Sequence, residues 1–135
     1  MKMWKVLLVD DEEEFVTALA ERLELRGIEA SIATSGGDAL KRINADKPHL
    51  VVLDVLMPGL GGLDVLDQIK KTDPQIKVIL LTGRGSAPED GGRIPLGAFD
   101  YLIKPVNIDD LIQKMREALN APEPGTSAGE RLSNG

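Results

Sequence analysis

The chain contains no cysteine. That absence excludes a disulfide scaffold, a thiolate zinc site and thiol catalysis. A single histidine, His49, excludes multi-histidine metal sites and leaves little basis for histidine catalysis. Positive charge is the minority: 16 Lys and Arg against 22 Asp and Glu give a net charge of -6. Such a balance argues against direct nucleic-acid binding by this chain, which needs clustered Lys and Arg to neutralise phosphates. No run approaches the roughly 18 apolar residues of a membrane span. Met1–Lys5 and the apolar run behind it have the outline of a signal peptide. Asp10, Asp11 and Glu12–Glu14 follow at once, however, with no small-residue cleavage site. The expectation is a soluble, cytoplasmic protein with no membrane partner. Its 135 residues suffice for one compact domain with a core that needs neither disulfides nor a structural metal.

Three apolar runs stand out: Val6–Val9, Leu50–Leu53 and Val78–Leu81. Each is short, branched-rich and continuous rather than alternating, the pattern of strands covered on both faces. Ala30–Ala33 and Tyr101–Ile103 are weaker strands of the same set. Helical patterns lie between them. Phe15, Val16, Leu19 and Leu23 form one stripe, stopping near Gly27. Ser35 can cap a second helix with Ala39, Leu40 and Ile43. Leu63, Leu66 and Ile69 mark a third, ending before Pro74. Asn107 can cap a last one carrying Leu111, Ile112, Met115 and Leu119. Strand–helix alternation implies right-handed crossovers and a parallel sheet with helices on both faces.

Two segments depart from this pattern. Residues 83–97 hold five of the 14 glycines and two of the 8 prolines. Gly91 and Gly92 each cost about 1 kcal/mol in a helix interior and Pro95 about 3 kcal/mol, so this segment is a loop or a helix of at most about two turns. Residues 121–135 lack apolar periodicity and read as a flexible C-terminal tail or linker after a domain at 1–120.

In open parallel sheets, ligands bind at the carboxyl ends of strands. Those ends carry Asp10 and Asp11, Asp54, Thr82 and Lys104. Taken singly, Asp10 or Asp11 reads as a helix cap and Asp54 as a turn residue. Together they set three carboxylates, a hydroxyl and an ammonium on one sheet edge. Converging carboxylates repel unless neutralised, and a hard cation with oxygen ligands, Mg²⁺, does this. With a metal in place, a carboxylate can act as a nucleophile toward phosphorus. Asp54, alone on a central strand, is the best candidate. Asp10 and Asp11 are better placed to hold metal, while Thr82 and Lys104 can meet phosphoryl oxygens.

The residues Val9-Asp10-Asp11-Glu12, Leu53-Asp54-Val55-Leu56-Met57-Pro58, Gly62-Leu63, Leu81-Thr82-Gly83 and Gly97–Pro105 stand in the order and at the spacings of a known family. Over about residues 3–120 the chain resembles a receiver domain of bacterial two-component response regulators. The resemblance implies a flavodoxin-like, doubly wound fold with five parallel strands in the order 2-1-3-4-5. It implies phosphorylation of Asp54 by a histidine kinase or phosphotransfer protein. It implies Mg²⁺ held by Asp10, Asp11, Asp54 and the Leu56 backbone carbonyl, with Thr82 and Lys104 completing the site. Thr82 and Tyr101 would form the switch pair, and the Lys104–Pro105 bond would be cis. The reaction would be self-catalysed phosphorylation and dephosphorylation rather than enzymatic turnover. The signal would pass to a downstream protein or output domain, or through a homodimer.

The chain departs from the family pattern at Gly61, where an acidic residue is common. It departs again in residues 83–97, where a regular helix is usual. Two alternatives accompany this reading. One is a receiver-fold binding module without regulated phosphorylation. The other is a Mg²⁺-dependent aspartyl phosphatase of the haloacid dehalogenase type, which the Asp10-Asp11-Glu12 array and the lack of room for a cap domain disfavour.

Overall fold

The computed structural model describes residues 4–83, 95 and 97–120. Five parallel strands run β1 (Lys5–Val9), β2 (Glu29–Ala33), β3 (Leu50–Asp54), β4 (Lys77–Thr82) and β5 (Asp100–Ile103). Their order across the sheet is β2-β1-β3-β4-β5. Among the described residues the helices are α1 (Glu13–Glu24), α2 (Gly36–Ala45), α3 (Gly62–Thr72) and α4 (Ile108–Asn120). The doubly wound sheet expected from the alternation is therefore present. The expectation of a short or absent helix between β4 and β5 falls on residues outside the described set, as does that of a tail at 121–135.

Strand alternation divides the core in two. Val6, Leu8, Leu50, Val52, Ile79 and Leu81 face α1 and α4, where they meet Val16, Leu19, Leu23, Leu111 and Met115. Leu7, Val9, Val51, Leu53, Val78 and Leu80 face α2 and α3, against Ala39, Ile43, Val65, Leu66 and Ile69. Both faces of β3 are buried along its whole length. This is why its sequence is continuously apolar until Asp54.

Local signals set the helix ends. The Ser35 hydroxyl accepts a hydrogen bond from the Asp38 amide at 3.1 Å. Asn107 Oδ1 accepts from the Asp109 and Asp110 amides at 2.8 and 3.1 Å. Gly27, past the end of α1, has φ +79°, a conformation that favours glycine. One apolar assignment differs from the sequence reading: Leu63 is 48% exposed, while Val65 is fully buried. At about 100° per residue, Val65, Leu66 and Ile69 share one arc of α3 and Leu63 falls at its margin.

The order β2-β1-β3 puts the change of winding direction between β1 and β3, so the ends of these adjacent strands open a crevice at the sheet's carboxyl edge. The ladder continues past the strand ends and ties the edge together. The Asp10 amide donates to the Ala33 carbonyl at 3.1 Å, the Val55 amide to Leu81 at 2.9 Å, and the Lys104 amide to Thr82 at 2.8 Å.

A candidate phosphoryl and metal site at the sheet edge

Asp54 ends β3, and its position depends on a close approach by α3. A Cβ on Gly62 would lie 2.1 Å from the Asp54 carbonyl oxygen and 2.8 Å from Val55 Cα. Only glycine lets the helix begin this near the strand end. The Gly62 amide closes the turn onto the Val55 carbonyl at 3.1 Å. Gly61, where the family pattern departs, caps α3 without a side chain in an extended conformation that any residue adopts.

Asp10, Asp11 and Asp54 each place a carboxylate oxygen within 4.8 Å of the others. Asp10 and Asp54 are buried and Asp11 is exposed. Asp10 Oδ1 accepts from the Glu12 amide at 2.9 Å, so this residue also organises the entry to α1. Its other oxygen, Oδ2, is 2.8 Å from Lys104 Nζ as an ion pair but makes no well-aligned hydrogen bond. Thr82, at the end of β4, is 3% exposed, and its hydroxyl oxygen has no hydrogen-bond partner among the described residues. Buried polar atoms are ordinarily paired. A buried hydroxyl without a partner among the described residues, on the wall of a carboxylate crevice, fits a ligand-binding edge.

Lys104 projects from the end of β5 into this cluster. Its Nζ is 2.6 Å from Glu12 Oε1, 2.8 Å from Asp10 Oδ2 and 3.7 Å from Asp54 Oδ2. It also stands 4.9 Å from the centre of the Phe15 ring, within cation–π range. Burial acts to lower the pKa of this ammonium but is outweighed by Asp10, Glu12 and Asp54, so the pKa is raised and the group stays charged. The Asp54 carboxyl is pushed up to about 6, first by burial and then by the Asp10 charge, while Lys104 and the Leu56 backbone amide hold it down.

The geometry thus brings together Asp10, Asp11, Asp54 and Lys104, with the Thr82 hydroxyl on the adjacent strand. Leu56 is 63% exposed on the loop after Asp54 and meets the Asp54 carboxylate through its backbone. Tyr101 sits on β5 opposite Leu80, half-buried against the α2/α3 side of the core. The Lys104–Pro105 bond is cis. His49 lies at the opposite end of the sheet, exposed, its Nδ1 accepting from the Lys5 amide at 3.0 Å. Glu12 and Phe15 also touch Lys104, contacts that the sequence reading did not include, and Phe15 packs against the core as expected besides. Their separation of three residues at the start of α1 was the available signal, since it puts them on one side of the first turn.

The carboxylate set suits a hard divalent cation. Its donors are oxygens, two of the three are buried, and Asp10 Oδ2 lacks a hydrogen bond.

A family model for the response regulator receiver domain matches residues 6–116. The chain belongs to the response regulator receiver domain family. It is 40% identical over 119 residues to the uncharacterized transcriptional regulatory protein YkoG of Bacillus subtilis, covering 88% of this chain and 52% of that protein. It is 37% identical over 126 residues to the response regulator MprA of Mycolicibacterium vanbaalenii, covering 93% and 54%. The chain thus spans about half the length of these curated relatives. Among solved structures, the receiver domain of NtrX from Brucella abortus superimposes with a TM-score of 0.80 at 36% identity, covering 87% of this chain and 99% of that one. The Thermotoga maritima response regulator TrrA, solved in complex with Mg²⁺-BeF, gives 0.74 at 36% identity, covering 86% and 99%. The fold and the family expected from the motifs are both found. As a response regulator receiver domain, the chain is a signalling module of two-component systems. No helix among the described residues is long and apolar enough to cross a membrane.

Proposed function

We propose that the chain receives a phosphoryl group on Asp54 from a histidine kinase or phosphotransfer protein and transmits that state by changed protein contacts. The supporting observation is the site itself. Asp10, Asp11 and Asp54 converge within 4.8 Å beside the Lys104 ammonium, with the Thr82 hydroxyl, unpaired among the described residues, on the neighbouring strand. Asp10, Asp11, Asp54 and the Leu56 carbonyl would hold Mg²⁺, which when bound neutralises charge on the transferring phosphoryl oxygens. An Asp54 carboxylate oxygen forms the new bond to phosphorus as the bond from phosphorus to the donor imidazole breaks. Water attack on phosphorus later releases inorganic phosphate and returns the carboxylate. Lys104 supplies positive charge to the phosphoryl oxygens, and the Thr82 hydroxyl donates to one of them. Thr82 moving toward this group leaves space into which the Tyr101 ring turns, converting a charge of about -1.5 to -2 into a change of surface.

The partner would be a histidine kinase acting in the cytoplasm. The output would lie in a downstream protein, in a further domain or in a homodimer. The relatives' greater length and the name "transcriptional regulatory protein" borne by one of them favour an attached output domain. Titration with Mg²⁺ and beryllofluoride tests the reading. Saturable binding with altered hydrogen exchange at Thr82 and Tyr101 is expected, and Asp54→Asn should abolish both. Binding that survives Asp54→Asn would refute it.

A further inference from the structure

Lys104 is the cation that the phosphoryl group must recruit, and it is already engaged. Its Nζ donates a hydrogen bond to Glu12 Oε1 at 2.6 Å. Asp10 Oδ2 is also close, at 2.8 Å. Asp54 Oδ2 is farther, at 3.7 Å. The Phe15 ring, 4.9 Å away and one turn along from Glu12, covers another side of the ammonium. The first turn of α1 therefore cradles Lys104 at a position displaced from the phosphoacceptor.

We infer that Glu12 is a positioning residue that competes with the phosphoryl group for Lys104 and so sets how tightly the site holds that group. The inference rests on the receiver reading above. Lys104 can share Asp10 Oδ2 with a cation bound to the same carboxylate, but Glu12 lies outside the Asp10, Asp11 and Asp54 cluster. Glu12 is thus the partner Lys104 retains until an anion arrives at Asp54. The Glu12 side chain is 63% exposed, so the contact is modest and reversible, suited to tuning rather than blocking.

The full chain, with Mg²⁺ and beryllofluoride as probe, tests this. Glu12→Gln keeps the shape of the side chain and removes its charge. Glu13→Gln makes the same charge change one residue on, without a contact to Lys104. Glu12→Gln should bind beryllofluoride about two- to five-fold more tightly than the wild type, the range an exposed ion pair supports. It should also shift a ¹⁹F resonance of the bound anion, because Lys104 sits nearer to it. Glu13→Gln should do neither. Equal or weaker binding by Glu12→Gln, or the same gain in Glu13→Gln, overturns the inference and leaves the receiver reading intact. A wild type that takes up no beryllofluoride overturns both.

Discussion

Asp54 is held in two conflicting ways: its carboxyl is buried beside Asp10, yet it faces Lys104. The net result, a pKa raised from 3.8 to about 6, has a thermodynamic consequence. Between about pH 4 and 6 the folded chain binds more protons at this residue than the unfolded chain does. Stability therefore falls as pH rises through that window and is flat with respect to Asp54 above it. Asp54→Asn removes the ionisation while nearly keeping the shape. In metal-free buffer the variant should match the wild type near pH 4 and exceed it by about 1–3 kcal/mol at pH 7, from the size of the shift. Urea denaturation at the two pH values reads the difference. An equal gap at both would mean that Asp54 is not destabilised by its surroundings.

The placement of Asp10, Asp11, Asp54, Thr82 and Lys104 at one sheet edge was legible because strand ends can be read from where apolar runs stop. The contact between Glu12 and Lys104 was not legible. These residues are 92 positions apart, and only the register of β5 against β4, which puts Ile103 beside Thr82, brings the lysine round to α1.

The start of α4 is set by chemistry visible in a single residue. Asn107 Oδ1 receives two amide hydrogens, from Asp109 and Asp110. Helix starts leave such donors unpaired, and loss of a capping side chain costs about 1 kcal/mol. Asn107→Ala should lower stability by about that amount and speed hydrogen exchange at Asp109 and Asp110 more than at Met115. Unchanged exchange at the two capped amides would contradict the assignment.

Helix faces were less legible than helix ends. Leu63 and Val65 are both apolar, and sequence alone favoured Leu63 through its three-residue spacing to Leu66. The arc that faces the sheet is set instead by where Gly62 lets α3 start against Asp54. In α1 the same ambiguity affected Phe15 and Val16. Val16 is 1% exposed, and Phe15 lies at the edge of the buried arc, where its ring meets Lys104.

At the scale of the whole molecule, sheet order turns scattered residues into a site. β1 and β3 are adjacent although α1, β2 and α2 separate them in the chain. That adjacency sets Asp10 and Asp11 beside Asp54, while β4 and β5 bring Thr82 and Lys104 to the same edge. Alternation of strands and helices gave the parallel, two-sided architecture directly. The strand order itself came from the family resemblance, because periodicity carries no information on which strands are neighbours.

The central claim is that this edge makes Asp54 a phosphoacceptor, and chemical mapping tests it most directly. The chain is incubated with Mg²⁺ and acetyl phosphate, reduced with borohydride to trap any acyl phosphate as homoserine, and analysed by peptide mass spectrometry. The account predicts homoserine at position 54, absent when Mg²⁺ is chelated and absent in Asp54→Asn. Trapping at another carboxylate, or no trapping in the wild type under conditions that label a related receiver domain, would contradict it.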